Sequence, residues 1–149
     1  MAVFRNVPYP AANFVVDLGT GTTGPAAAVA EVVLPEARVQ VVEYRSGNDK
    51  DNSVHKVPST TEYTNLILRR GVLGALDWYD WWNQVRNGDQ GAVRNVVIQL
   101  QDEARTGPVL TWKFLHARPV GHQYSPLIGQ GPDVLIESLE IAFERVEIE

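Results

Sequence analysis

"VVDLGTGTTG", Val15 to Gly24, is the stretch on which the fold turns. Gly19, Gly21 and Gly24 stand in the spacing G-x-G-x-x-G, directly after a run that reads as a strand. In a βαβ unit such glycines permit a tight turn and let the backbone approach a phosphate at a helix N-terminus. An acidic residue further on then holds the ribose. Glu43, at the end of another apolar run, stands roughly where that acid belongs. If the glycines open a helix, the chain is α/β and binds a nucleotide. If they only turn, the fold is something else.

The flanking residues favour the turn. Pro25 and Pro35 bracket only nine residues, Ala26 to Leu34, too few for a full crossover helix. The string is similar to the glycine loop of methyltransferases, which implies a site for S-adenosylmethionine or a dinucleotide. That site needs strands alternating with helices, and after Glu43 the pattern gives several strands and one convincing helix. The expected reading is therefore a strand followed by a glycine-rich turn, with no cofactor. A small nucleotide- or S-adenosylmethionine-binding enzyme using Gly19–Gly24 is the alternative.

Working outward, the periodicity is mostly that of strands. Phe14, Val16 and Leu18 alternate against Val15 and Asp17. "RVQVVEYR", Arg38–Arg45, is rich in β-branched residues, and the polar "SGNDKDNS" after it reads as a hairpin tip. Glu62–Arg70 reads as one strand closed by Gly71. Val96, Ile98 and Leu100 alternate, as do Leu110, Trp112, Phe114 and His116, and "QDEARTGP" supplies a turn between them. Arg118–Asp133 reads as a long Pro/Gly loop. The last segment reads either as a helix with Ile136, Leu139, Phe143 and Val146 on one face or as a strand with Leu135, Leu139, Ile141 and Phe143 on one side, Glu137 as the exception and a change of parity near Glu144; the strand is expected, because a sheet protein with one helix needs its last edge paired.

One helix interrupts this pattern. In "ALDWYDWWNQVRNG", Trp78, Trp81, Trp82 and Val85 fall at i, i+3, i+4 and i+7, which is one face for packing on a sheet. Asp77 and Asp80 suit the first turn by capping and by the helix dipole, Arg86 suits the last, and Gly88 is a natural stop. The fold class expected is mainly β with one flanking α-helix, in a single domain over residues 1–149.

Bulk composition excludes several functions. At 149 residues the chain is long enough for a core, and 44% hydrophobic with 21% charged residues is ordinary for a globular protein. The net charge of -5 runs against a nucleic-acid binder. Residues 1–75 hold seven basic and seven acidic side chains, and residues 76–149 hold six and eleven, so the second half carries the acidic excess. There is no cysteine, which removes disulfides, thiolate nucleophiles and cysteine-bound metals. No run approaches the roughly 18 apolar residues of a membrane span. "MAVFRNVPYPAAN" has prolines and no long apolar core, unlike a secretory signal, so the chain is expected to be soluble and cytoplasmic when made.

No catalytic or metal-binding set assembles from the residues. His55, His116 and His122 lack acidic partners at ligand spacing, and His116 reads as a core or interface residue. Asp102 and Glu103 fall in a turn, and Arg69–Arg70 read as a solvated pair. No catalytic residue, metal or cofactor is expected, and the chain is expected not to be an enzyme.

The order of the parts is more informative than any one of them. "VEYRSG" (Val42–Gly47), "HKVPSTTEYTNLILRRGVLGALDWYDWW" (His55–Trp82), "VVIQLQDE" (Val96–Glu103), "TWKFLHARP" (Thr111–Pro119) and "IESLEIAFERVEI" (Ile136–Ile148) follow one another along the chain. This ordered set resembles the tail tube family of contractile injection machines, the tube proteins of contractile phage tails and of phage-tail-like particles. It spans Val39 to Glu149. Ser59 stands where the family usually has glycine after the proline, and the glycine-rich segment before Val39 departs from the family's short polar turn.

The resemblance implies a small β-sandwich or barrel with a flanking helix. It implies copies joined into hexameric rings with a central channel, stacked into an inner tube that a contracting sheath drives through a target envelope. Partners implied are other copies, the sheath protein, baseplate or tube-initiator proteins, tube-capping proteins and cargo in the lumen. A tube initiator at the baseplate and the hexameric tube proteins of type VI secretion share the implied fold. The candidate contact with a neighbouring subunit or ring is Tyr44, Arg45, Gly47, Asn48, Asp49, Lys50, Asp51, Asn52, His55 and Lys56. The acidic residues Glu137, Glu140, Glu144, Glu147 and Glu149 are expected on the lumen or the outer surface.

Overall fold

In the computed structural model of the chain, residues 1–19, 28–48, 50 and 53–149 are described. Gly21, Gly24, Pro25, Asp49, Asp51 and Asn52 lie outside the described residues. In chain order the elements are β1 (Phe14–Asp17), β2 (Glu31–Val33), β3 (Ala37–Tyr44), β4 (His55–Tyr63), β5 (Leu66–Gly71), α1 (Asp77–Arg86), β6 (Arg94–Gln101), β7 (Pro108–Tyr124), β8 (Ile136–Ala142) and β9 (Arg145–Ile148). Among the described residues the protein is mostly β with a single short helix, as the periodicity predicts.

Strand β7 organises everything. It has 17 residues, too long to lie flat in one twisted sheet, and its two halves take different partners. The first half pairs with β6 and β9, and the second half pairs with β8. β1 extends the first layer beyond β6, while β5 and β2 extend the second beyond β8. The two layers form a sandwich-like arrangement. Leu66, Leu68, Leu139 and Ile141 from one layer meet Val96, Ile98 and Phe114 from the other, and all are buried.

A bulge makes the bend in β7. Arg94 pairs with Ala117 and Val96 with Phe114, so one residue on β6 faces two on β7, Leu115 and His116. His116 takes a left-handed φ of 54°, and its N–H donates to Asn95 Oδ1 at 3.4 Å. The extra residue flips the alternation. Phe114 points inward, His116 is exposed, and Ala117 takes the next inward place. His116 is therefore not a core residue, contrary to its sequence parity. A second shift between Pro119 and Gly121 continues the bend, so Arg118–Tyr124 is strand rather than the expected loop.

Other boundaries also move. Glu62–Arg70 is not one strand: β4 ends at Tyr63 and β5 begins at Leu66. The parity change near Glu144 is the break between β8 and β9, where the chain leaves one layer to pair with the other half of β7. All described ladders are antiparallel, and β1 pairs antiparallel with β6. The parallel βαβ unit that the glycine motif needs is absent among the described residues.

Helix α1 packs Trp78 and Trp81 into the core, with Val85 partly buried against it. Trp81 Nε1 donates to the Ala92 carbonyl at 2.8 Å, which satisfies the indole where water is excluded. Gly88 ends the helix at φ 81°, a backbone that costs a residue with a Cβ but suits glycine.

Candidate assembly interface

The β3–β4 hairpin stands apart from the sandwich. Among the described residues its strands pair only with each other, from Ala37 opposite Tyr63 to Tyr44 opposite His55. Every residue of β3, and every residue of β4 except Tyr63, is exposed. At the root, the Thr64 N–H donates to the Glu36 carbonyl at 3.0 Å, and Tyr63 packs on Phe143 with ring centroids 5.2 Å apart. Val39 is 51% exposed, Val42 54%, Val57 49% and Tyr44 59%. A lone two-stranded hairpin is marginal in water, and apolar side chains on both faces add a further cost. Such a hairpin is suited to being covered by another surface.

The described candidate contact residues fall at the far end of this arm. Glu43 faces Lys56 and Tyr44 faces His55 across the ladder. Arg45, Gly47, Asn48 and Lys50 are exposed in the connection. Glu43 therefore lies on a projecting hairpin, while Gly19 closes the end of β1. The Gly19 N–H donates to Asp17 Oδ1 at 2.8 Å, with φ 75°, which is a side-chain-mimicked turn.

The sandwich also has open edges. β1 ends one layer beyond β6, and β2 ends the other beyond β5. An unpaired edge presents backbone N–H and C=O groups to any strand that can reach it. At β2 the edge carries an ion pair, Arg69 Nη1 to Glu31 Oε1 at 3.1 Å. The acidic C-terminal residues do not share one surface. By register, Glu140 faces outward beside Gly121, and Glu147 faces outward beside Lys113. Lys113 Nζ also binds Glu149 Oε1 at 2.9 Å, and this hydrogen bond holds the Glu149 carboxyl below its ordinary range.

Glu137 is on neither surface. It is buried, with Oε1 at 2.9 Å from His122 Nε2 and Oε2 at 3.5 Å from Arg70 Nε. Arg70, expected to be solvated, is buried too. Its Nη2 binds Asp77 Oδ1 at 2.6 Å, and its guanidinium lies 4.0 Å over Trp78. Asp77 thus ties the start of α1 to β5 instead of capping the helix, and no side chain caps that end. Trp82 does not enter the core with Trp78 and Trp81. It stacks on His122, and the Arg86 guanidinium lies 4.8 Å from the Trp82 ring centroid. Glu137 and His122 were not among the expected site residues. The available signal was parity: Arg70 continues Leu66 and Leu68, and Glu137 precedes Leu139 and Ile141.

A third feature fixes residues 1–13 along the first layer. Arg5 forms a forked pair with Glu103, Nη2–Oε1 at 2.7 Å and Nη1–Oε2 at 2.9 Å. The Arg5 hydrogen bond pulls the exposed Glu103 carboxyl from 4.5 down to about 2. Because the folded value is depressed, the pair's contribution is present above the ordinary value near 4.5 and is lost as pH falls through about 2. A carboxyl-detected NMR titration is expected to place the Glu103 midpoint near 2 and to return it toward 4.5 in Arg5→Gln. An unshifted midpoint in the parent chain would contradict the clamp.

Among the described residues, no helix is long and apolar enough to cross a membrane, and no group of three or more His, Cys, Asp or Glu is placed to hold a metal ion. The model of the family described as T4-like virus tail tube protein gp19 matches residues 10–147. A chain in the anti-feeding prophage (AFP) baseplate is 25% identical with TM-score 0.83, and the match covers 97% of each chain. A chain in the extended sheath–tube complex of the PVC extracellular contractile injection system is 23% identical with TM-score 0.83, covering 97% of this chain and 93% of that one. Hcp1 from Flavobacterium johnsoniae shares the fold more distantly, at 12% identity and TM-score 0.55, covering 91% and 94%. No curated protein matches the chain significantly.

Proposed function

Because this chain belongs to the T4-like virus tail tube protein gp19 family, we propose that it is a non-enzymatic subunit of the inner tube of a contractile tail or phage-tail-like injection system. Copies close into hexameric rings around a channel, and rings stack into a tube within a sheath, between a baseplate and a cap. The observation that carries this reading is the β3–β4 hairpin, a projecting arm whose described apolar side chains are exposed. Open edges at β1 and β2 support lateral joining, since a ring of identical sheets closes every edge it pairs. The protein is made soluble and becomes part of a particle.

Negative-stain electron microscopy of the purified protein tests this directly. The expected images are rings with a central channel, and tubes at higher concentration. A strictly monomeric protein, even when mixed with baseplate or sheath components, would overturn the reading. The likeness to an AFP baseplate chain also favours a second reading, a tube initiator. An initiator would stop at single rings, whereas a main tube protein polymerises without a fixed length.

A further inference from the structure

We propose that residues 3–9 cap the β7 edge at Val109 in the free protomer and that a strand of a second copy displaces them on assembly. This rests on the tube reading above and adds an autoinhibitory contact that restrains assembly.

Strand β7 is irregular where the segment meets it. On the β6 side, Leu110 faces Leu100 and Pro108 faces Gln101, so Val109 is an extra residue without a register partner. On the other side, Thr111 exchanges both backbone hydrogen bonds with Glu149, at 2.9 Å each, so β9 occupies that edge up to this point. The next carbonyl along the edge belongs to Val109, and it accepts the Val3 N–H at 2.8 Å. Val3 thus continues the line of β9 along the bulge.

The hold on the segment is light. Among the described residues, this is the one backbone hydrogen bond between residues 1–9 and the sandwich. Arg5 supplies most of the rest. Besides its fork on Glu103, its Nε donates to the Val7 carbonyl at 2.7 Å and its Nη2 to the Pro8 carbonyl at 2.8 Å. The Tyr9 hydroxyl donates to the Val3 carbonyl at 3.0 Å, and the Arg5 guanidinium lies 3.8 Å from the Tyr9 ring centroid. The segment is a closed loop hung on one arginine. It arches over Leu100, Val109 and Leu110 around a space of about 340 Å³, and leaves Phe4 and Val7 exposed. An exposed ion pair adds little stability and is screened by salt. An element with few buried apolar contacts opens at low cost. Opening bares Val109, which is buried in the capped form, together with a strand edge that another strand can pair with. The same layer ends at β1 on its far side, so among the described residues each copy carries one capped edge and one open edge. Contact between two different edges is head-to-tail and propagates from copy to copy.

Because the chain has no native cysteine, one variant gives both states. Arg5→Cys/Glu103→Cys removes the fork and leaves a thiol at each side of the clamp. A bis-maleimide with an internal disulfide locks the segment down, and a reductant releases it. Light scattering follows assembly of the purified protein, electron microscopy identifies the product, and circular dichroism checks the fold. Without the cross-linker, a lag shorter than the parent's is expected. With it, assembly is expected to be lost, and reduction to restore it. Val3→Pro, which lacks the donor N–H, is expected to shorten the lag without touching the clamp. Cross-linked protein that assembles at the parent's rate would overturn the cap and leave the tube reading intact. Released and Val3→Pro proteins that fold but assemble more slowly than the parent would make the segment part of the contact and overturn the restraint. Failure of the parent and of both released variants to form rings or tubes would remove the tube reading itself.

Discussion

Arg70→Met is expected to lower the unfolding free energy of the protomer by about 3–5 kcal/mol. The side chain is 3% exposed and serves two carboxylates, Asp77 at 2.6 Å and Glu137 at 3.5 Å. Methionine fills comparable volume, so the loss is not mainly one of packing. It comes from leaving Glu137, itself buried, beside His122 but without the Arg70 guanidinium. The cation over Trp78 disappears as well, and α1 loses the tie that Asp77 makes to β5. Against a typical total stability of about 5–15 kcal/mol, that is a large share. Arg70→Lys is expected to recover only part, because an ammonium cannot fork onto Asp77 while lying flat on an indole. The double variant Arg70→Met/Glu137→Met is expected to regain much of the loss, since apolar pairs replace buried ion pairs at little net cost. Urea denaturation of disassembled protomer measures all three. A loss below about 1 kcal/mol for Arg70→Met would show that the cluster is not what holds the helix.

The same cluster marks where sequence reasoning stops. The helix was legible because Trp78, Trp81 and Val85 keep a 3.6-residue period, and β6 because Val96 and Ile98 keep a two-residue one. Arg70 and Glu137 sit at inward parity in two strands that pair, yet charge alone makes them look like solvated exceptions. Two opposite charges at core parity on neighbouring strands form one feature, visible only once the register is known. His122 was hidden for another reason. Pro119 and Gly121 read as loop punctuation, whereas here they sit at a register shift inside β7. His116 was misplaced by the bulge beside it, because one extra residue reverses every later inward assignment. For the hairpin, β3 was legible from its β-branched residues, but its exposure was not. Every residue of β3 is exposed, so the strand has no burial pattern for parity to reveal. The glycine motif failed through context: its spacing is local, while the parallel pairing it requires is a property of the sheet.

Removing that hairpin is expected to abolish tube formation while leaving the fold standing. Arg38 and Glu62 are register partners, so Val39–Thr61 can be replaced by Asn-Gly, a two-residue turn matched to the twist of a hairpin. None of the deleted side chains belongs to the core cluster, so the sandwich loses no packing. Shortening the connection changes closure entropy by only about 0.6 kcal/mol per halving of loop length, and in the stabilising direction. The urea midpoint of the truncated protomer is therefore expected to equal or slightly exceed that of the parent. Sedimentation velocity is expected to show no tube at any concentration, because the proposed contact between copies uses the arm's exposed apolar residues, Val42, Val57 and Tyr44 among them. Single rings remain the discriminating product. If they persist, the open edges at β1 and β2 are sufficient for lateral closure and the arm acts only along the tube axis. If rings disappear together with tubes, the arm also braces the lateral joint. Tubes that survive the deletion would mean that stacking resides elsewhere on the sandwich, and the exposed arm would need another partner.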